Sequence, residues 1–311
     1  MSRRQIEVGS KSFAKAAGLF DPKTRDSVHM LYAWCRHCDD VIDDQVAGFN
    51  TGGQIATPDD LEARVHHLRE QTIRAYAGDP DEPPFHALYR VAATHQIPQS
   101  YPLDLIDGFA MDAAGRSYET IEDTLSYCYH VAGAVGVMMA MVMGAREQAV
   151  LQRACDLGIA FQLTNISRDV IADADVGRVY LPSEWLADAG LSADPEQLGA
   201  AEHREAVFAV VVRLLDLADL FYESARFGIA RLPFRSACAV AAARRIYRAI
   251  GADVRARGPA AWDVRPKTSA GQKLAGLGLG LADAAHAVSF GRLRGDPPSR
   301  AGLWTPTGLQ I

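Results

Sequence analysis

Four aspartates stand within six residues of the segment "YAWCRHCDDVIDD". On a helix, residues four apart share one face and lie about 6 Å apart along the axis, so Asp39 pairs with Asp43 and Asp40 with Asp44. Paired carboxylates are hard oxygen ligands, which Mg²⁺ accepts together with water and phosphate oxygens. The alternative is a solvated acidic helix end, but the preceding apolar segment "VHMLYAWC" predicts a largely buried helix.

A second acidic stripe lies in the segment "FQLTNISRDVIADAD". Asn165, Asp169 and Asp173 recur at every fourth position, and apolar residues surround them. Because an unpaired buried charge is expensive, these carboxylates meet either metal ions or the neighbouring Arg168 and Arg178. Two acidic helix faces in one chain are best explained if they face each other across a cavity. Divalent ions would then cancel their repulsion and recruit a phosphorylated ligand.

Helical patterns dominate the elements that must position both stripes. Asp21-Pro22 is typical of an N-cap followed by proline at the first helical position, and it opens a helix that runs through the first aspartate cluster. A further amphipathic helix is predicted to end at Gly78. We find no convincing alternating strand pattern and no internal repeat. The sequence therefore predicts one all-α domain that covers residues 1–311.

Composition and charge exclude several classes of function. The 311 residues are 49% hydrophobic, which suffices for a large core. The net charge is −6 and the charges are interspersed, so nothing indicates nucleic-acid binding. The N-terminus lacks the apolar run of a secretory signal, and the five cysteines follow no disulfide-like spacing. We therefore expect a reducing, cytoplasmic location.

Three further patterns carry other interpretations that we do not favour. The apolar run Val131–Ala145 is shorter than the roughly 20 residues that span a bilayer, so we expect a buried helix. Cys35 and Cys38 have a redox or zinc-like spacing but lie within a predicted helix, without a preceding strand or a second ligand pair. Gly276–Gly280 resembles part of a dinucleotide loop, yet no strand precedes it.

The chain resembles the squalene/phytoene synthase family. The resemblance is carried by "DDVIDD" and "NISRDVIAD", with "GSKSF", "YAWCR", "YCYHVAGAVG" and "GRVYLP" as flanks, and it is strongest to the bacterial carotenoid-pathway branch. It runs from about residue 8 to about residue 265. Gly9 stands where some relatives carry histidine. The C-terminal tail, about residues 290–311, carries no motif that indicates its role.

The resemblance implies a fold and an activity. The fold is that of the isoprenoid synthases, with antiparallel helices around a central cavity. The activity is a Mg²⁺-dependent head-to-head (1′–1) coupling of two prenyl diphosphates through a cyclopropylcarbinyl diphosphate. In the phytoene branch the substrate is geranylgeranyl diphosphate and no NADPH is used, and Mn²⁺ is a candidate substitute for Mg²⁺. The alternatives are a squalene or dehydrosqualene synthase that uses farnesyl diphosphate, or a catalytically silent prenyl-lipid-binding or assembly protein.

The resemblance also assigns residues. Asp39 and Asp43 would hold metal on one wall of the cavity, and Asn165, Asp169 and Asp173 on the other. The remaining catalytic and diphosphate-binding candidates are cationic, hydroxyl or amide side chains: Ser10, Lys11, Tyr32, Arg36, Gln162, Arg168, Arg178, Tyr180, Tyr247 and Arg265. Arginine suits this task because its planar fork binds phosphate bidentately.

The rest of the cavity must hold long isoprenoid tails. Small residues in Val131–Ala145 would leave room for a tunnel, although close helix packing explains them as well. Tyr127, Tyr129 and Phe13 are candidates to stabilise carbocations through their ring faces, with core packing as the alternative. Contact with a membrane surface and with downstream carotenoid enzymes is left open by the sequence.

Overall fold

The computed structural model describes residues 17–43, 57–263 and 299–306, together with residue 285 and the backbone of residues 45–46 and 49–50. Several residues singled out from the sequence lie outside the described residues: Ser10, Lys11, Phe13, Asp44, Arg265 and Gly276–Gly280.

Helices make up most of the described chain. The α-helices are α1 (Pro22–Ile42), α2 (Pro58–Ala77), α3 (Pro83–His95), α4 (Ser100–Ala113), α5 (Ile121–Cys128), α6 (Ala134–Val142), α7 (Gln148–Asp175), α8 (Ser183–Asp188), α9 (Pro195–Gly199), α10 (Arg204–Arg231) and α11 (Phe234–Arg257). A π-helical turn spans Tyr129–Gly133, and 3₁₀ turns span Ala201–His203 and Gly258–Trp262. The all-α prediction is confirmed, whereas the single-domain extent over residues 1–311 stays a prediction.

The helix boundaries follow from local capping. The Asp21 carboxylate accepts hydrogen bonds from backbone N–H groups in the first turn of α1, and Pro22 is the first helical residue. Thr57 and Asp60 form a reciprocal capping box at the start of α2. Gly78 ends α2 with a φ of 84°, a left-handed conformation that glycine adopts without a Cβ penalty.

A short antiparallel ladder follows α1. Strands β1 (Gln45–Val46) and β2 (Phe49–Asn50) pair Gln45 with Asn50 and Val46 with Phe49. Two-residue strands are too short for a period-two pattern to be visible in the sequence, so sequence analysis did not predict them.

One long apolar helix passes through the core. Helix α5, the π turn and α6 run continuously from Ile121 to Val142, a length of 22 residues. By length and composition this helix could cross a membrane, which corrects the argument from the shorter run Val131–Ala145. However, 67% of its apolar window is buried inside the protein, so it is a core helix.

Helix α7 lies at the centre of the molecule, between α6 and α10. A Cβ atom added at Gly136 would overlap the backbone of Ala154, and one at Gly158 would overlap the backbone of Ala132. These glycines let the backbone of α7 touch that of the π turn and of α6. As positions rise along one helix and fall along the other, the two helices run antiparallel. Small residues therefore serve close packing, one of the two interpretations left open by the sequence.

Candidate active site

The first acidic wall is formed by the C-terminal turns of α1. Arg36 Nη1 lies 2.7 Å from Asp39 Oδ2, and Arg36 Nη2 lies 2.7 Å from Asp40 Oδ1. Asp40 is the more buried of these two carboxylates. The arginine therefore holds both side chains on one face of α1, and Asp40 contributes by positioning Arg36.

The second wall is formed by the C-terminal half of α7. Arg168 binds Asp169 with its fork: Nε donates to Oδ1 at 2.9 Å, and Nη2 donates to Oδ2. Asn165 Nδ2 donates to Gln162 Oε1 at 3.2 Å. The arginine pairing considered from the sequence is thus present, and it coexists with a carboxylate, Asp173, that lies one turn further along the same face.

Arg178 joins the two walls. It lies in the loop after α7, and its Nη2 donates to Asp43 Oδ1 at 2.9 Å across a sequence separation of 135 residues. Its charge also opposes the rise in the pKa of Asp173 that burial causes. One guanidinium therefore interacts with both acidic stripes, which the fold brings to a common site as the sequence predicted.

Asp112, on α4, is a site residue that sequence analysis missed. Its Oδ2 accepts a hydrogen bond from the Tyr127 hydroxyl at 3.0 Å, and its Oδ1 accepts one from the Tyr180 hydroxyl at 2.8 Å. The two tyrosine rings stack with centroids 4.7 Å apart. The negative charge of Asp112 raises the pKa of both Asp39 and Asp173, so it lies near both walls.

A signal for Asp112 was present in the sequence. Leu105, Phe109 and Asp112 follow the i, i+4, i+7 spacing of one helix face, and the first two are buried. A carboxylate on the apolar face of an amphipathic helix needs a buried partner, so this pattern indicates a candidate site residue.

The walls carry surplus negative charge. Burial raises the pKa of Asp39 to about 6, and the nearby Asp43 and Asp40 add to this rise while Arg36 opposes it. Burial raises the pKa of Asp173 to about 7, and Asp169 contributes in the same direction. Both carboxylates would be relieved by a cation placed between the walls.

The donor set fits Mg²⁺ on this ground, since carboxylate and amide oxygens are hard ligands. Among the described residues, however, no three His, Cys, Asp or Glu side chains converge closely enough to hold an ion by themselves. An ion at this site would need further oxygens from water and from a phosphorylated ligand, which is the usual coordination of Mg²⁺ in proteins.

A cavity of about 370 Å³ begins beside these walls. Its polar end is lined by Tyr32, Gln162, Asn165 and Tyr247, so both acidic helices contribute to it. The Tyr247 ring stacks on Phe161 with centroids 4.2 Å apart. Four residues predicted from the sequence to bind substrate or metal thus share one opening.

The rest of the cavity is an apolar tunnel between α6, α7, α10 and α11. Helix α6 contributes Met139 and Ala140, Met143 lies directly after its C-terminal end, and α7 contributes residues down to Val150 near its N-terminus. Small residues therefore also leave room for a tunnel, so both interpretations of the Gly/Ala-rich helix are correct.

The tyrosines proposed as carbocation stabilisers lie elsewhere. Neither Tyr127 nor Tyr129 is among the described residues that line the tunnel. Tyr127 is bound to Asp112, and the Tyr129 hydroxyl donates to Asp104 while its ring contacts Trp304. A direct ring-face role toward a carbocation is not supported by these positions, because their hydroxyls anchor both rings in the surrounding core.

The redox-like or zinc-like spacing of Cys35 and Cys38 gains no support from the structure. Cys35 and Cys38 lie within α1, and burial raises the pKa of both thiols, that of Cys35 to about 12. Neither is therefore poised as a thiolate.

Known proteins resemble this chain along nearly its full length. The sequence profile of the squalene/phytoene synthase family matches residues 6–272. A 15-cis-phytoene synthase of Paracoccus sp. is 52% identical over 305 residues, which cover 98% of this chain and 96% of that protein. A 15-cis-phytoene synthase of Pantoea ananas is 50% identical over 96% of this chain and 94% of that protein.

A solved structure shares the architecture. The crystal structure of a dehydrosqualene synthase in complex with ligand superposes with a TM-score of 0.79 at 29% identity, covering 90% of this chain and 94% of that one. The profile match covers most of the chain, and relatives about 50% identical cover it almost completely. The chain therefore belongs to the squalene/phytoene synthase family.

Proposed function

We propose that this chain is a phytoene synthase, a prenyltransferase that couples two molecules of geranylgeranyl diphosphate head to head (1′–1) through a cyclopropylcarbinyl diphosphate. The observation that carries the proposal is the apolar tunnel whose polar end is shared by the two acidic helices. The extensive identity to phytoene synthases supports the same reaction type.

The arginines of the site are suited to hold the diphosphate. Arg36, Arg168 and Arg178 each pair with a wall carboxylate. Their planar forks match phosphate oxygens, so they can pass from carboxylate to diphosphate when the carboxylates acquire another partner. Magnesium bound by Asp39, Asp43, Asn165, Asp169 and Asp173 would provide that partner and stabilise the charge of the departing diphosphate.

The tunnel would hold the prenyl tails and keep water away from carbocations. Its described walls are almost entirely apolar, and burial of each methylene is worth about 0.8 kcal/mol. Binding of the tails therefore provides much of the affinity, while the polar end orients the reacting carbon next to the acidic walls.

The length of the tunnel favours a C20 substrate over a C15 substrate. Asn165 and Val150 both line it, and at the rise of an α-helix they lie about 22 Å apart along α7. At roughly 1.2 Å per bond, an extended C20 prenyl chain measures about 19 Å and a C15 chain about 14 Å. A C20 chain would reach the far end of such a tunnel, whereas a farnesyl chain would leave that end unfilled, and this supports the C20 substrate.

Product analysis tests this proposal. Purified protein is incubated with geranylgeranyl or farnesyl diphosphate and Mg²⁺, with and without NADPH, and the hydrocarbons are identified by mass spectrometry. We expect phytoene from the C20 substrate regardless of NADPH, and Mn²⁺ should partly replace Mg²⁺. Squalene or dehydrosqualene from the C15 substrate alone would favour the runner-up function. Binding of either diphosphate without any product would indicate a catalytically silent relative.

The cytoplasmic location, a peripheral membrane contact and contacts with downstream carotenoid enzymes stay predictions.

A further inference from the structure

A buried ionic cluster lies on the side of α7 away from the acidic walls. Asp156 is fully buried, and Arg300 of the C-terminal segment donates to both of its oxygens, from Nε at 3.0 Å and from Nη2 at 2.5 Å. Ser224 on α10 also donates to Asp156, and Arg153 Nη1 donates to Ser224 Oγ at 2.5 Å. The proposed chemistry at the polar end of the tunnel uses none of these groups.

The cluster reaches the tunnel through one side chain. Arg153 lines the tunnel, and it is the only charged residue among the described residues that do so. Its Cβ lies so close to Gly228 of α10 that a Cβ at that position would be 2.8 Å away. The side chain is thus confined between α7 and α10, with its guanidinium fixed at the cluster.

Arg153 lies at a depth that distinguishes chain lengths. It is twelve positions before Asn165 on α7, or about 18 Å from the polar end at the rise of an α-helix. An extended C15 chain of about 14 Å ends before this level, whereas a C20 chain of about 19 Å reaches it. Only the fourth isoprene unit of a C20 substrate would therefore contact the Arg153 side chain.

The C-terminal segment, residues 299–306, is built to present Arg300. The same guanidinium also donates to Thr305 Oγ1 at 2.8 Å and to the Trp304 carbonyl oxygen at 3.2 Å. The Trp304 ring lies 6.3 Å from that of Tyr129, on the long core helix. These contacts hold the fork of Arg300 against Asp156 from outside the tunnel wall.

We propose that Arg153 is a specificity-determining residue for the fourth isoprene unit, and that Arg300 is a positioning residue that fixes Arg153 through Asp156 and Ser224. No motif in the sequence indicates a role for the C-terminal tail, and positioning by Arg300 would be the role of its described segment. It rests on the proposed function, since it concerns the tail-binding part of the same tunnel.

The test measures binding of two unreactive substrate analogues. Thiolodiphosphate analogues of the geranylgeranyl (C20) and farnesyl (C15) substrates are titrated by calorimetry, with Mg²⁺, into full-length wild type, Arg300→Ala, Arg300→Lys and Arg153→Met. Arg226→Ala is the matched control, because Arg226 is exposed and pairs with Glu223 on the surface of α10, the helix that carries Ser224. Thermal unfolding of each variant is recorded in parallel.

Arg300→Ala and Arg153→Met should each weaken binding of the C20 analogue about tenfold. This is near the lower end of the discrimination that one methylene group gives in an apolar pocket. Binding of the C15 analogue should stay unchanged, as should the Mg²⁺ concentration for half-maximal binding. Arg300→Lys keeps the charge but not the fork, so it should fall between. A double variant that combines Arg153→Met with Arg300→Ala, titrated in the same way, should bind the C20 analogue no more weakly than the weaker-binding single variant, because the two residues act through one path.

Equal weakening of both analogues in Arg300→Ala would mean that the segment only stabilises the fold, and it would overturn the proposal. Unchanged C20 binding in Arg153→Met would overturn it as well. The proposed function fails by a separate result, the absence of phytoene from wild type, because the binding ratio of the two analogues does not depend on turnover.

Discussion

Two carboxylates at the site have raised pKa values, which a bound cation would lower again. Asp173 has a pKa of about 7 and Asp39 a pKa of about 6, so both bind protons more tightly than an aspartate in an unfolded chain, at about 3.9. Keeping these carboxylates ionised lowers the stability of the fold but favours the binding of a cation. Strongly shifted pKa values of this kind are common at functional sites.

The first prediction concerns stability against pH in the absence of metal. Between about pH 4 and pH 7 the folded state binds more protons at Asp173 than the unfolded state does, so the free energy of unfolding falls as pH rises. Asp173→Asn removes this loss. The free energy of unfolding of the variant, relative to that of wild type, should therefore be about 1–2 kcal/mol higher at pH 8 than at pH 5, allowing for partial exposure. Urea denaturation in EDTA at both pH values measures it. An identical pH dependence in wild type and variant would contradict the raised pKa.

The second prediction concerns Asp169, which Arg168 binds with both arms of its fork. Asp169→Ala should lower turnover by about a hundredfold or more, as expected for loss of a group that stabilises transition-state charge. The far-UV circular dichroism should persist, because α7 is anchored by its apolar residues. Asp175→Ala, at the exposed end of α7, is the control and should retain turnover. Unchanged turnover in Asp169→Ala would remove its proposed ligand role.

At the scale of elements, α6 and α7 combine contact and cavity. Gly136 and Gly158 bring the two backbones together, while neighbouring small residues leave the tunnel open. One face of α6 packs against neighbouring helices and another lines the tunnel, so the side chains on the two faces have different roles. Ala140 lines the tunnel, but Ala134 is fully buried in the core away from it.

The third prediction follows from that difference. Ala140→Phe should shift the preferred substrate from C20 toward C15, because the added ring would fill part of the tunnel and shorten the space for the tail. Competition between geranylgeranyl and farnesyl diphosphates, read by product analysis, measures the shift. Met141→Phe is the matched control, since Met141 is buried in the same helix but does not line the tunnel. An unchanged preference in Ala140→Phe would remove this part of α6 from the tail-binding wall.

At the scale of the whole molecule, the site exists only when α1, α4 and α7 pack together. Among the described residues no three His, Cys, Asp or Glu side chains converge on one ion position, either within one wall or across both. Metal and diphosphate should therefore bind together, each providing ligands or neutralising charge for the other, and their binding should stabilise the assembled helices.

The fourth prediction tests this dependence by thermal unfolding. Mg²⁺ with inorganic diphosphate, near a hundredfold excess over the dissociation constant, should add about 2.7 kcal/mol and raise the Tm by about 5 °C or more. Mg²⁺ alone, or diphosphate with EDTA, should raise it far less. A full shift with Mg²⁺ alone would show a preformed metal site and contradict the shared coordination.

The sequence by itself determined the helical class, the two acidic stripes and their candidate ligands. Those features depend on spacing within one helix, and a period of 3.6 residues is visible in consecutive residues. The capping of α1 by Asp21 and the end of α2 at Gly78 were predictable for the same reason, since both depend on local backbone geometry.

Only the tertiary structure decided which side chains meet across helices. Arg178 and Asp43 are 135 residues apart, and Arg300 and Asp156 are 144 apart, so no local pattern links either pair. The role of Asp112, the direction of Ala134 and the depth of the tunnel likewise depend on how α4, α6, α7 and α10 pack. Packing of remote segments is a property of the assembled core, and it is not encoded in the period of any one helix.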